Sequence, residues 1–296
     1  MDYIATLIAA PASDALTPAM AATAASVLPG EVRVHWLATG EACALHFHDE
    51  GAREESEIDL RATLRGLPVD IAVLPDTPAR RKRLLIADMD STIIGQECID
   101  EIADMAGVGE QVADITARAM RGNLGFRDAM MERIDLIAGL DEAALARVAD
   151  ERLHLNPGAR TLVQTMRRHG AFCALVSGGF TFFTRIIAER AGFHAHRGNE
   201  LIFRNGRLTG VGEPLIGREA KRSHLFAFAD EQDLPLELSL AVGDGANDLD
   251  MLESAGLGVA VHAKPLVAEE ADVSIRHGDL TALLYLQGYE KADFIL

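Results

Sequence analysis

The chain has 296 residues, 49% of them hydrophobic, enough for about two domains with proper cores. Lys and Arg total 28 against 45 Asp and Glu, and the net charge of −17 excludes nucleic-acid binding through bulk electrostatics. Cys43, Cys98 and Cys173 are odd in number and far apart, which excludes a disulfide framework and a zinc site.

Residues 3–9 (YIATLIA) read as a strand and 16–28 as an Ala-rich helix. Segments 31–38 and 41–48 alternate like a hairpin about Thr39-Gly40, 56–66 reads helical, and 70–74 reads as a strand. The order βαββαβ predicts a small ferredoxin-like α+β domain. Pro75, Pro78 and the run Arg80-Arg81-Lys82-Arg83 read as its end, a solvated linker. Residues 1–30 hold Asp2 and Asp14 but no Lys or Arg, unlike a secretory signal. No uncharged apolar run reaches the ~18 residues of a membrane span, so the expectation is a soluble, cytoplasmic protein with no membrane partner.

From residue 84 short apolar strands alternate with helices: 84–88, 171–176, 238–243, 257–261 and 272–275. That alternation predicts an α/β fold with a parallel sheet. The first two strands are too far apart for one crossover, and the excess, about residues 96–156, spaces its apolar residues as helices do. Such an insertion sits above the carboxyl end of the sheet, where α/β sites lie, and reads as a cap.

Polar chemistry collects at the ends of these strands. Asp88 and Asp90 close the first; as strand residues they would share one face, roughly 6.5 Å apart. Ser177 and the Gly178 amide follow the second, at the start of a helix suited to an anion. Asp244, Asn247 and Asp248 follow the third, and Lys221 falls in the first turns of an intervening helix. Each alone has a structural explanation: a turn, a cap, a surface loop, a solvated lysine. Together at one rim they form a site. Aspartates without His or Cys make a hard oxygen set suited to magnesium. A serine, amides, a lysine and an asparagine suit a phosphoryl group.

The motifs DMDST, SGGF, the lysine and GDGAND, in that order, resemble the four motifs of the haloacid dehalogenase (HAD) superfamily of phosphatases. Over about residues 84–280 the resemblance narrows to its phosphoserine phosphatase branch. It implies a Rossmann-like core and magnesium-dependent hydrolysis of O-phosphoserine to serine and phosphate, the last step of serine biosynthesis. By the same resemblance Asp88 is the nucleophile and Asp90 the acid and base. Magnesium is held by Asp88, the backbone carbonyl of Asp90, and Asp244. Ser177, Gly178 and Lys221 orient the phosphoryl oxygens, Asn247 contacts the phosphate side, and Asp248 supports the metal and lysine from behind. In the cap, Glu97 takes the substrate ammonium, Arg133 its carboxylate, and Met120 and Phe126 close over the ligand.

Residues 1–80 resemble an ACT-like module, implying serine feedback or homodimerisation, and 81–296 the phosphatase unit. Two alternatives stay open: a phosphatase or phosphotransferase for another small phosphorylated amino acid or alcohol, and an amino-acid sensor. The pairs His46/His48 and His194/His196 each alternate on a strand but lack a third ligand, so exposed strand positions are the expectation.

Overall fold

The computed structural model describes residues 1–296 apart from Ala52, Gly122 and the side chain of Met120. Its first part runs β1 (Asp2–Ala9), α1 (Pro18–Ala25), β2 (Arg33–Ala38), β3 (Ala42–His48), α2 (Arg53–Thr63) and β4 (Val69–Pro75). The sheet is antiparallel in the order β2-β3-β1-β4, the ferredoxin-like arrangement expected. Period-two alternation explains its apolar strands: Ala5, Leu7 and Ala9 pack with Leu16, Ala24 and Leu60, while Ile4 and Ile8 face the second half of the chain.

β5 (Leu84–Ala87) then leads into the cap helices α3 (Cys98–Ala106), α4 (Gly109–Met120), α5 (Phe126–Leu136) and α6 (Glu142–Glu151). The chain returns through α7 (Ala159–Arg168), β6 (Phe172–Phe180), α8 (Thr181–Ala191) and β7 (Ala195–Asn199). A hairpin, β8 (Leu201–Arg204) and β9 (Arg207–Val211), precedes α9 (Arg218–Glu231) and β10 (Ser239–Gly243). The end comprises α10 (Leu249–Ser254), β11 (Gly258–Val261), α11 (Pro265–Glu270), β12 (Val273–Ile275) and α12 (Ala282–Leu286).

Six parallel strands lie in the order β12-β11-β10-β5-β6-β7, with β5 near the centre. Its four residues are fully buried, Leu84 and Ile86 toward α9 and α10, Leu85 and Ala87 toward α7 and α8. Such a strand must be apolar throughout, which is why its sequence does not alternate. Both ends of the cap are pinned together: the Asn156 amide donates to the Ile93 carbonyl at 2.8 Å, and its side-chain Nδ2 to the Thr92 carbonyl at 2.7 Å.

The structure corrects two expectations and adds one element. The basic run is not a freely solvated linker: three of its four residues are tied to the second half of the chain. Arg80 and Arg81 donate to the carbonyls of residues 285–288 at the end of α12, Lys82 is buried and donates to the carbonyls of Glu237 and Gly256, and Arg81 stacks 3.5 Å over the Tyr289 ring. Carbonyls left open at the end of α12 take up the two arginines. The strand expected to carry Asp88 and Asp90 stops at Ala87, and residues 89–93 form an irregular turn, extended at Asp90 and left-handed at Ser91 (φ 56°), so the two aspartates do not share a strand face. The added element is the β8–β9 hairpin, turned by Asn205-Gly206 at φ of 50° and 73°. The hairpin braces the cap: Gly139 and Leu140 exchange backbone hydrogen bonds of 2.9 and 2.8 Å with Leu208.

The histidine pairs hold no common ligand position. His46 and His48 turn to Asp76 and Asp2, His194 accepts from the Cys173 amide, and His196 meets Thr184. Among the described residues no helix is long and apolar enough to cross a membrane.

Candidate active site

Asp88 emerges from β5 on the side of Leu84 and Ile86, toward α9. There Lys221, fully buried in the first turn of α9, places its ammonium 2.6 Å from Asp88 Oδ1 and 2.6 Å from Asp248 Oδ1. The second Asp248 oxygen accepts the amides of Asp244 and Gly245 at 3.2 and 3.0 Å, so one buried carboxylate shapes the turn after β10 and holds the lysine. A Cβ on Gly243 would lie 2.4 Å from Asp248 Cγ, which is why glycine ends that strand. Asp244 receives the Thr92 hydroxyl at 2.9 Å.

Asp90 is held elsewhere. Its Oδ1 accepts the Cys98 amide at 2.9 Å at the start of α3, and its Oδ2 the Ser177 hydroxyl at 3.1 Å. Ser177 in turn accepts the Gly179 amide at 2.8 Å. A side chain at Gly179 would collide with Asp90, its Cβ 2.8 Å from Oδ2. Asn199 fixes the facing loop, donating to the Gly178 carbonyl and accepting the Ile216 amide, each at 2.7 Å.

These groups open on a pocket of about 280 Å³. Asp88, Asp90, Asp244, Asn247, Ser177 and Gly178 form its floor, and Glu97, Phe126 and Arg133 its cap side. Lys221 and Asp248 lie beneath it, fully buried. The Met120 side chain falls outside the described residues. A larger cleft of about 960 Å³ between cap helices is lined by Asp104, Glu110, Asp114, Glu132 and Asp135, its Arg118 already paired with Glu132 at 2.9 Å. It lacks the convergent donors of the smaller pocket.

Thr92, Asn199, Gly179 and the Cys98 amide escaped the sequence reading. Thr92 belongs to DMDST, but nothing local distinguishes it from a turn residue; only the fold sets its hydroxyl against Asp244.

Asp88, Asp244 and Asp248 each bring one oxygen within 4.8 Å of the others. Three carboxylates against one ammonium leave two negative charges, and carboxylate oxygens without His or Cys are hard donors: the set fits a divalent cation. Burial opposes the Lys221 charge, but Asp248 and Asp88 outweigh it and hold its pKa above the usual lysine value. Burial, with Asp248 beside it, pushes Asp88 up against Lys221. Burial also raises Asp244, against the Thr92 hydrogen bond, and Asp90, against those from Cys98 and Ser177. Acidic groups perturbed this way lack sufficient positive charge nearby.

Clustered carboxylates, a buried lysine and the Ser177–Gly178 turn at the carboxyl rim of a parallel sheet are the arrangement of an α/β-class hydrolase. A profile of the haloacid dehalogenase-like hydrolases matches residues 85–253. The chain is 39% identical over 293 residues to a phosphoserine phosphatase of Streptomyces coelicolor, an alignment covering 98% of this chain and 71% of that one. A HAD-family hydrolase structure from Salmonella enterica serovar Typhi superposes with a TM-score of 0.85 at 30% identity, covering 98% and 99% of the two chains. A probable phosphoserine phosphatase from Vibrio cholerae gives 0.78 at 32%, covering 99% and 88%. The chain belongs to the haloacid dehalogenase-like hydrolase family, and it is a phosphatase.

Proposed function

We propose that the protein hydrolyses O-phosphoserine to serine and phosphate with magnesium, through a phosphorylated Asp88. The observation that carries this is one pocket joining Asp88 and Asp90 to the Ser177–Gly178 cradle beneath a cap that presents Glu97 and Arg133. Asp88 attacks phosphorus as the bond to the serine oxygen breaks, and Asp90 gives that oxygen its proton. Asp90 then takes a proton from the water that cleaves the aspartyl phosphate. Ser177, the Gly178 amide, Lys221 and Asn247 orient the phosphoryl oxygens. Asp88, the Asp90 carbonyl and Asp244 would hold magnesium, with Asp248 behind them; bound there, it supplies charge neutralisation for the phosphoryl group. Arg133 reads the substrate carboxylate and Glu97 its ammonium, while Phe126 closes over the ligand and excludes water. Residues 1–80 act as an ACT-like regulatory unit, residues 81–296 as the cytoplasmic catalytic unit. The supporting facts are the change from antiparallel to parallel sheet and the phosphoserine phosphatases among its relatives.

Phosphate release from phosphoserine and from an aryl phosphate, with magnesium and then with chelator, tests the proposal. Phosphoserine turnover is expected to be far faster, to vanish with chelator and to return with magnesium. Equal turnover of both esters, or full activity in chelator, would refute it.

A pH dependence follows from Glu97. Lost hydration at the pocket wall, then Asp90, push its carboxyl up to about 7, although its rim stays exposed and Ser91 opposes the shift. Below that value the free protein holds Glu97 neutral, unable to pair with an ammonium, so binding phosphoserine releases a proton. KM for phosphoserine should rise by up to about tenfold per pH unit below about 7, and KM for the aryl phosphate should not share this component. Glu97→Gln should remove the difference between the two substrates.

A further inference from the structure

Lys221 and a bound dication would offset Asp88, Asp244 and Asp248. Asp90 and Glu97, when ionised, then face two cations on the pocket wall, Arg133 and Lys264. Without Lys264 a phosphomonoester dianion would enter past a wall on which the carboxylates outnumber the cations.

One cation on the wall plays no part in the chemistry above. Lys264 lines the pocket on the Asp244 side. Its backbone is fixed: it caps α11, Pro265 sets the first helical residue, and its own amide donates to the Asp244 carbonyl at 3.2 Å. Its side chain is exposed, and the lysines engaged in ion pairs among the described residues are Lys221 and Lys291. Asp244 nonetheless feels it, since the Lys264 charge helps to hold that carboxyl down against burial. The two lysines of the site are therefore opposites. Lys221 is fully buried and locked between two carboxylates, whereas Lys264 is a free point charge on a flexible stem at the entrance.

We propose that Lys264 is a substrate-positioning residue of this phosphatase, attracting the phosphoryl dianion and orienting it at the pocket wall beside Asp244. This rests on the phosphatase mechanism above. A cation in this position acts over roughly one Debye length, about 8 Å at physiological salt, so its contribution must fade as salt rises.

The test compares wild type, Lys264→Met and Lys264→Arg. With phosphoserine and magnesium, kcat/KM of Lys264→Met should fall about five- to tenfold at low salt, mainly through KM, and its dependence on ionic strength should flatten. Lys264→Arg should recover most of both. A titration calorimeter supplies a readout without turnover: inorganic phosphate with magnesium should bind Lys264→Met about five- to tenfold more weakly than wild type. Wild-type phosphate affinity and an unchanged salt profile in Lys264→Met would overturn the assignment. Failure of the wild type itself to release phosphate from phosphoserine would sink the substrate assignment instead, and the phosphate titration would still decide on Lys264.

Discussion

Asp88→Asn leaves a folded protein whose phosphate release falls by on the order of 10⁴-fold or more. The amide matches the carboxylate in size but is far too poor a nucleophile to displace an alkoxide from phosphorus. Folding survives because the substitution removes one of the two buried carboxylates that crowd each other, while Lys221 keeps its 2.6 Å partner Asp248. The thermal midpoint should therefore stay near the wild-type value or rise slightly. Phosphate release, with intact-mass detection of phosphoprotein in the wild type after rapid acid quench, measures the outcome. Near-normal turnover in the variant would exclude the covalent route.

Lys221→Met has the opposite signature: stability as well as activity collapses. The ammonium is fully buried and touches Asp88 and Asp248, each at 2.6 Å. Methionine fills the space but leaves two buried carboxylates facing each other without a cation. Breaking a buried pair by removing one partner costs about 3–5 kcal/mol, and a unit of this size loses roughly 6–20 °C in its midpoint. The loss should shrink toward acid pH, where the carboxylates take up protons, and added magnesium should raise the midpoint more in the variant than in the wild type. Calorimetric scans with and without magnesium check both effects. An unchanged midpoint would mean that Lys221 does not hold the acidic cluster together.

The chain itself displayed the polar site. DMDST, SGGF and GDGAND fall at strand ends, and the fold brings Asp88, Ser177 and Asn247 to one pocket. Acid residues after an apolar run are a local signal, because a buried strand excludes charge until it ends. What stayed illegible depended on partners distant in sequence. Arg80 and Arg81 look like a solvated linker until the end of α12, about 200 positions later, offers its open carbonyls, and Lys82 until the carbonyls of Glu237 and Gly256 close around it. Likewise Asp70 reads as an ordinary strand residue, yet it is buried and accepts the amides of Arg276, His277 and Gly278, tying the first sheet to the second half of the chain.

By itself the sequence determined the α/β pattern, the inserted helices and the set of charged groups available for phosphoryl chemistry, since periodicity and residue type are local properties. Only the tertiary structure decided which carboxylate meets which cation. Asp88 goes to Lys221 and Asp90 to Ser177 because β5 stops at Ala87 and the chain turns, so two aspartates one residue apart enter different environments. Electrostatic partnership depends on distance in space and on exclusion of water, and chain order specifies neither.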